Sequence, residues 1–254
     1  MNAKFAVFLA VLAVGVAAVG VAQAGTYGTV TAYYNGYYYG QTATINVTGG
    51  DSGATVVGMY KLRSTASDSA YVDANVNFPV FCVDTFHNIN SGESVTFDVE
   101  DLATAPGIDG DPDTPSPMGV TKANLIKELY ARYRGYRTTN DGAAALGAAI
   151  WEIVDEPVHT WDLTDGVFKI SGLTAQASTY ANTWLASLSA DGALYADYDI
   201  KALISTNPAK RQDFAIVPPG GYVPPVPEPL TMLGVFMGVC AVGAYVRRRT
   251  RTTA

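Results

Sequence analysis

Cys82 is the most reactive side chain that this sequence offers outside its terminal segments. It stands in the run Phe81-Cys82-Val83-Asp84. The chain has two cysteines, and the other, Cys240, falls in an apolar stretch near the C-terminus. No disulfide can therefore form within the central part, and Cys82 is either a buried structural thiol or a reactive one. His87 follows five residues later and invites comparison with a thiol–imidazole pair, but nothing in the sequence brings the two side chains together. Glu152, Asp155 and Glu156 supply neighbouring carboxylates of the kind that hydrolyse glycosides. Acidic residues before a proline, here Pro157, are equally at home in solvent. Asp109, Asp111 and Asp113 alternate like the start of a calcium loop, yet Thr114 and Val120 occupy the positions where an EF-hand needs Gly and Glu. That leaves an irregular calcium site or a solvated acidic loop. The two histidines, His87 and His159, give no metal-ligand spacing, and no cofactor motif is present.

The elements that must position these groups are legible in outline. Tyr27–Tyr34 and Tyr37–Val47 are rich in Thr, Tyr and Val and flank Asn35-Gly36, which predicts a β-hairpin. Tyr33, Tyr34, Tyr37, Tyr38 and Tyr39 would then cover a sheet or form a platform for sugar rings. Residues 49–53 read as a turn, and 56–62, 80–84 and 94–99 as strands. Residues 105–117, with four prolines, read as a loop. The period then changes. Leu125, Ile126, Leu129, Tyr130 and Tyr133 make a helical stripe over 121–134. A second helix is predicted over 142–154, capped by Asn140 or Asp141, and a third from about Thr174. Strands return at 167–170, 195–203 and 213–217. The fold class is α+β, a β-rich sandwich or barrel-like part with a helical insertion.

Phe81-Cys82-Val83-Asp84 on a strand, together with Ala145-Leu146-Gly147-Ala148-Ala149-Ile150-Trp151-Glu152 on a helix, resembles the thioester domain of bacterial surface adhesins. That resemblance implies a Cys–Gln thioester that captures a nucleophile once, covalently. It also implies that the Gln should stand four residues before Trp151. This chain has Gly147 there, so Cys82 and Gly147 are expected to form a degenerate site without the bond. Gln41, Gln176 and Gln212 lie in other segments.

The two ends carry targeting signals. Residues 1–24 have a positive Lys4, an apolar run from Phe5 to Val21, and Ala22-Gln23-Ala24 before Gly25, the order of a secretory signal peptide. Residues 217–229 are a Pro/Gly-rich spacer ending in Pro227-Glu228-Pro229. Residues 230–254 follow with an apolar run from Leu230 to Val246, about 26 Å long as a helix, and then Arg247, Arg248, Arg249 and Arg251. The arginines should remain cytoplasmic, leaving the preceding chain outside. Pro-Glu-Pro, a short apolar helix and a terminal Arg cluster resemble the PEP-CTERM sorting signal. The resemblance implies a Gram-negative bacterium that makes exopolysaccharide. It also implies processing by an exosortase after signal peptidase has acted, and transient anchorage in the inner membrane before release to the cell surface or matrix.

Five of the 16 Lys+Arg residues lie in these terminal segments, whereas all but Glu228 of the 23 Asp+Glu lie between them. An acidic exported domain, residues 25–216, argues against nucleic acid and against anionic lipid as partners. The expectation is a non-enzymatic surface or extracellular-matrix protein acting in adhesion, biofilm or exopolysaccharide association. The alternative is a secreted carbohydrate-active hydrolase that uses acidic residues such as Glu152.

Overall fold

The computed structural model describes residues 26–50, 52–111, 114–207 and 212–216, and of residues 108–111, 114 and 115 the backbone alone. The signal peptide, the spacer, Pro227-Glu228-Pro229, the apolar run with Cys240 and the arginines at 247, 248, 249 and 251 lie outside the described residues. The side chains of Asp109, Asp111 and Asp113 do so too. Among the described residues, no helix is long and apolar enough to cross a membrane.

Among the described residues, nine strands and three α-helices make a mixed α+β fold. The strands are β1 (Thr29–Val47), β2 (Ser52–Ser67), β3 (Asn77–Cys82), β4 (Ser94–Asp101), β5 (Pro106–Asp111), β6 (Thr114–Pro117), β7 (Phe168–Ser171), β8 (Lys201–Ser205) and β9 (Phe214–Ile216). The main sheet runs β2-β3-β9-β8-β4-β1-β7, and β1 also pairs with β2. Six antiparallel strands therefore close into a barrel, which leaves no free edge around the ring. β7 continues the sheet beyond it. Rings from non-adjacent strands meet inside: Phe97 and Phe214 at 6.0 Å, and Tyr60 and Phe214 at 6.0 Å.

The hairpin expected at Asn35-Gly36 does not form. β1 runs unbroken through both residues and pairs along its length with β2, from Val30↔Ser67 to Asn46↔Ser52. Its first half pairs with β4 on the other side, and its second half with β7. Asn35-Gly36 makes an irregularity in the register instead, with Gly36 at φ +86°. A long partner that spans both halves satisfies more backbone groups than folding the halves on each other. The loop expected over 105–117 is also more regular, a two-stranded ribbon of β5 and β6. A ribbon has two free edges, which is where prolines are tolerated.

The helices follow their stripes. α1 (Gly119–Tyr133) buries Leu125, Ile126, Leu129 and Tyr130, and Tyr130 meets Phe81 on the outer face of β3. α2 (Asn140–Asp155) is buried along nearly its whole circumference, as its Ala-rich, almost uncharged sequence requires. Its cap is Thr139, whose hydroxyl accepts from Gly142 N at 3.1 Å. Asn140 and Asp141, the expected caps, instead accept from Gly40 N and from the Gln41 amide. α3 (Ala175–Ala186) starts at Thr174 as expected and buries Trp184, which stacks between Tyr133 and Tyr180.

Candidate functional site

Cys82 ends β3 on the barrel-interior side. In the antiparallel register Cys82 faces Phe214 and Val80 faces Ile216. Side chains two residues apart share a face of a strand, so residue 212 must lie diagonally across from Cys82 on the same face. That residue is Gln212. Its Nε2 lies 2.8 Å from Cys82 Sγ, and the two side chains are 7% and 2% exposed. The sequence sets Gln212 aside with Gln41 and Gln176 as lying outside the motif, and the structure brings it to the sulfur. The one signal available was its place just before the strand expected at 213–217.

The sulfur has further partners. Asp84 N donates to it at 3.3 Å and it donates to Asp84 O at 2.9 Å. Burial pushes the Cys82 thiol well above its ordinary pKa, and the Asp84 charge adds to the effect. The Asp84 backbone N–H, the Trp151 indole and the Gln212 amide pull the other way. Trp151 is 2% exposed and packs its ring against Phe168 at 5.9 Å. The Asp84 carboxylate accepts from Phe86 N at 2.8 Å and meets His87 Nδ1 at 2.9 Å.

The acidic residues fall in two groups around this centre. Asp155 is buried and accepts from Thr85 Oγ1 at 3.1 Å. Its carboxyl is pushed up to about 7 by burial, against the Thr85 hydrogen bond and the Lys122 charge. Asp213, beside Gln212, accepts from Ser205 N at 2.6 Å, and burial raises its pKa. Glu152 and Glu156 serve the backbone. Glu152 Oε1 accepts from Asp162 N at 2.6 Å, and Glu156 Oε1 from Val167 N and Phe168 N. Glu152 is 0% exposed, which leaves a saccharide no approach to its carboxylate.

Gly147 faces β2 at Gly58, the residue next to the Met59↔Phe81 pair and so near the end of β3 that carries Cys82. A Cβ at this position would meet Gly58 N at 2.9 Å and Val57 Cγ1 at 3.3 Å. Gly147 is where α2 crosses β2, next to the Gly40↔Gly58 pair. Gly147 has no side chain to offer the sulfur, and the side chain that touches it comes from the approach to β9. Replacing Gly147 by Ala gains helix propensity worth about 1 kcal/mol, yet is expected to lower the melting temperature, because the new methyl meets backbone. Gly147→Gln should lower it further, by an overpacking penalty of about 1–3 kcal/mol. Thermal melts of both variants check this, and an Ala variant as stable as the parent would mean that α2 sits farther from β2.

The other singled-out residues are dispersed. His159 Nε2 hydrogen-bonds Ala190 O at 2.8 Å, and its ring lies against Trp161. Tyr34 is half-buried against Tyr60, while Tyr37, Tyr38 and Tyr39 are exposed. No protein-family model, curated protein or solved structure matches this chain.

Proposed function

We propose that this is a non-enzymatic, exported surface or extracellular-matrix protein whose domain is of the thioester type, with Cys82 and Gln212 as the reacting pair. The observation that supports this reading is the buried amide of Gln212 held 2.8 Å from Cys82 Sγ. Sulfur attack on Gln212 Cδ forms the S–C bond and breaks the C–N bond. The thiol proton leaves with the nitrogen as ammonia. An amine that later reaches Cδ forms a new amide and returns Cys82 as a thiol, so each molecule acts once. Signal peptidase and an exosortase would process the two ends. Adhesion, biofilm or exopolysaccharide association would follow from a domain that fastens itself covalently to its surroundings.

Intact mass of the full chain purified from exporting cells tests the pair. The expected result is a deficit of one ammonia. It should be absent from Cys82→Ala and Gln212→Ala, and methylamine should convert it to a gain of methylamine relative to the deficient form. A mass equal to the processed sequence, with Cys82 reacting with thiol reagents only after unfolding, would leave Cys82 as a structural thiol and sink the reading. Terminal peptide mapping of surface protein tests the sorting: cleavage is expected after Ala24 and near Pro227-Glu228-Pro229. Intact 230–254 in mature surface protein would rule it out.

A further inference from the structure

Buried polar atoms almost always find a hydrogen-bond partner, and the exceptions gather where chemistry needs them unsatisfied. Among the described residues four such side-chain atoms lack a partner. Three belong to a single stretch of α2: Trp151 Nε1, Glu152 Oε2 and Asp155 Oδ2. Of these three, only the Trp151 N–H is a donor whatever the pH. This indole N–H has no hydrogen-bond partner in the resting thiol state. Trp151 stands one helical turn after Gly147 on the same face of α2, and Gly147 packs on Gly58, the neighbour of the Met59↔Phe81 pair where β3 ends in Cys82. The indole favours charge on that sulfur.

We propose that the Trp151 indole N–H is the donor that carries the negative charge on Cys82 Sγ when the sulfur–carbonyl bond forms or breaks. This rests on the Cys82–Gln212 reading above. Two N–H groups touch the sulfur, Asp84 N at 3.3 Å and Gln212 Nε2 at 2.8 Å, and the buried Trp151 indole is the third that favours charge on it. Forming the bond expels the Gln212 nitrogen as ammonia, so that donor is gone from the finished thioester. When an amine adds to Gln212 Cδ, the sulfur leaves with the electron pair of the S–C bond and then takes the proton released by the amine nitrogen. During that departure only the Asp84 N–H and the Trp151 N–H remain to stabilise it. A donor idle in the ground state and engaged only as charge develops lowers the barrier rather than the ground state.

Trp151→Phe keeps an aromatic ring for the packing against Phe168 and removes the N–H. With the full chain from exporting cells, the rate at which methylamine reverses the ammonia deficit is expected to fall about tenfold to a hundredfold in this variant. An opening rate equal to that of the parent overturns the proposal while leaving the thioester reading intact. A parent chain with no ammonia deficit overturns both. Should Trp151→Phe fail to fold, the parent itself decides. Its Trp151 indole N–H resonance is expected to shift when methylamine opens the bond, because its neighbour changes from thioester sulfur to thiol. An unmoved resonance overturns the proposal.

Discussion

Trp151→Ala should cost the domain about 3–5 kcal/mol, the range for deleting a large aromatic side chain from a packed core. Trp151 is buried on α2, against Phe168 of β7 on one side and the Cys82 region on the other. α2 already lies tight on β2 at Gly147 and Gly58, which limits how far the helix can move in to fill the space. A loss of this size is a large share of the 5–15 kcal/mol that holds a typical domain together. The variant should therefore melt many degrees below the parent or fail to accumulate. Trp151→Phe, which fills most of the volume, should lose far less. Equal melting of Trp151→Ala and the parent would show that α2 does not pack where the structure puts it.

The second large effect concerns pH. Glu152 has its pKa raised to about 8, mainly by burial, with the nearby Glu156 and Asp155 charges adding to it. In the unfolded chain it ionises near 4.5. The folded state thus binds more protons across that interval. The stability contributed by neutral Glu152 is complete below about pH 4.5 and is lost as pH rises toward 8. Asp155, ordinarily near 3.8 and raised to about 7 here, acts in the same direction over a similar window. The domain should therefore lose stability between about pH 5 and pH 8, against the usual trend for carboxylates that gain cationic partners on folding. Glu152→Gln keeps the acceptor for Asp162 N and cannot ionise. It should be stabilising by at least about 1–2 kcal/mol at pH 8, one pKa unit being about 1.4 kcal/mol, and nearly neutral near pH 4. Denaturant midpoints at the two pH values measure this. A Gln variant destabilised equally at both would mean that Glu152 is ionised in the folded protein and that its charge supports the loop at Asp162.

Both predictions converge on α2, and the contrast between its two most informative residues shows how far local sequence reaches. The helix itself was legible over 142–154: its Ala-rich run and the proline at 157 act within a few residues of chain. The strands around Cys82, the helix start at Thr174 and the α+β order of elements follow from equally local periodicities. The sequence left Cys82 open between a buried structural thiol and a reactive one, and the structure buries it.

What the sequence could not decide is which elements become neighbours. Asn35-Gly36 carries the local signature of a hairpin, but β2 is long enough to pair with both flanking segments, so the turn became an irregularity inside one strand. Gly147 sits at the helix position where the resemblance would put a glutamine, yet its face meets β2. Gln212, with no local signal beyond the strand that follows it, reaches Cys82 because three residues of β9 slot between β3 and β8. Composition and periodicity act over one element and fixed the kinds of element this chain makes. The partner of the sulfur is separated from it by 130 residues. It was set by barrel closure, where backbone pairing rather than any side-chain preference selects which amide lies beside the thiol.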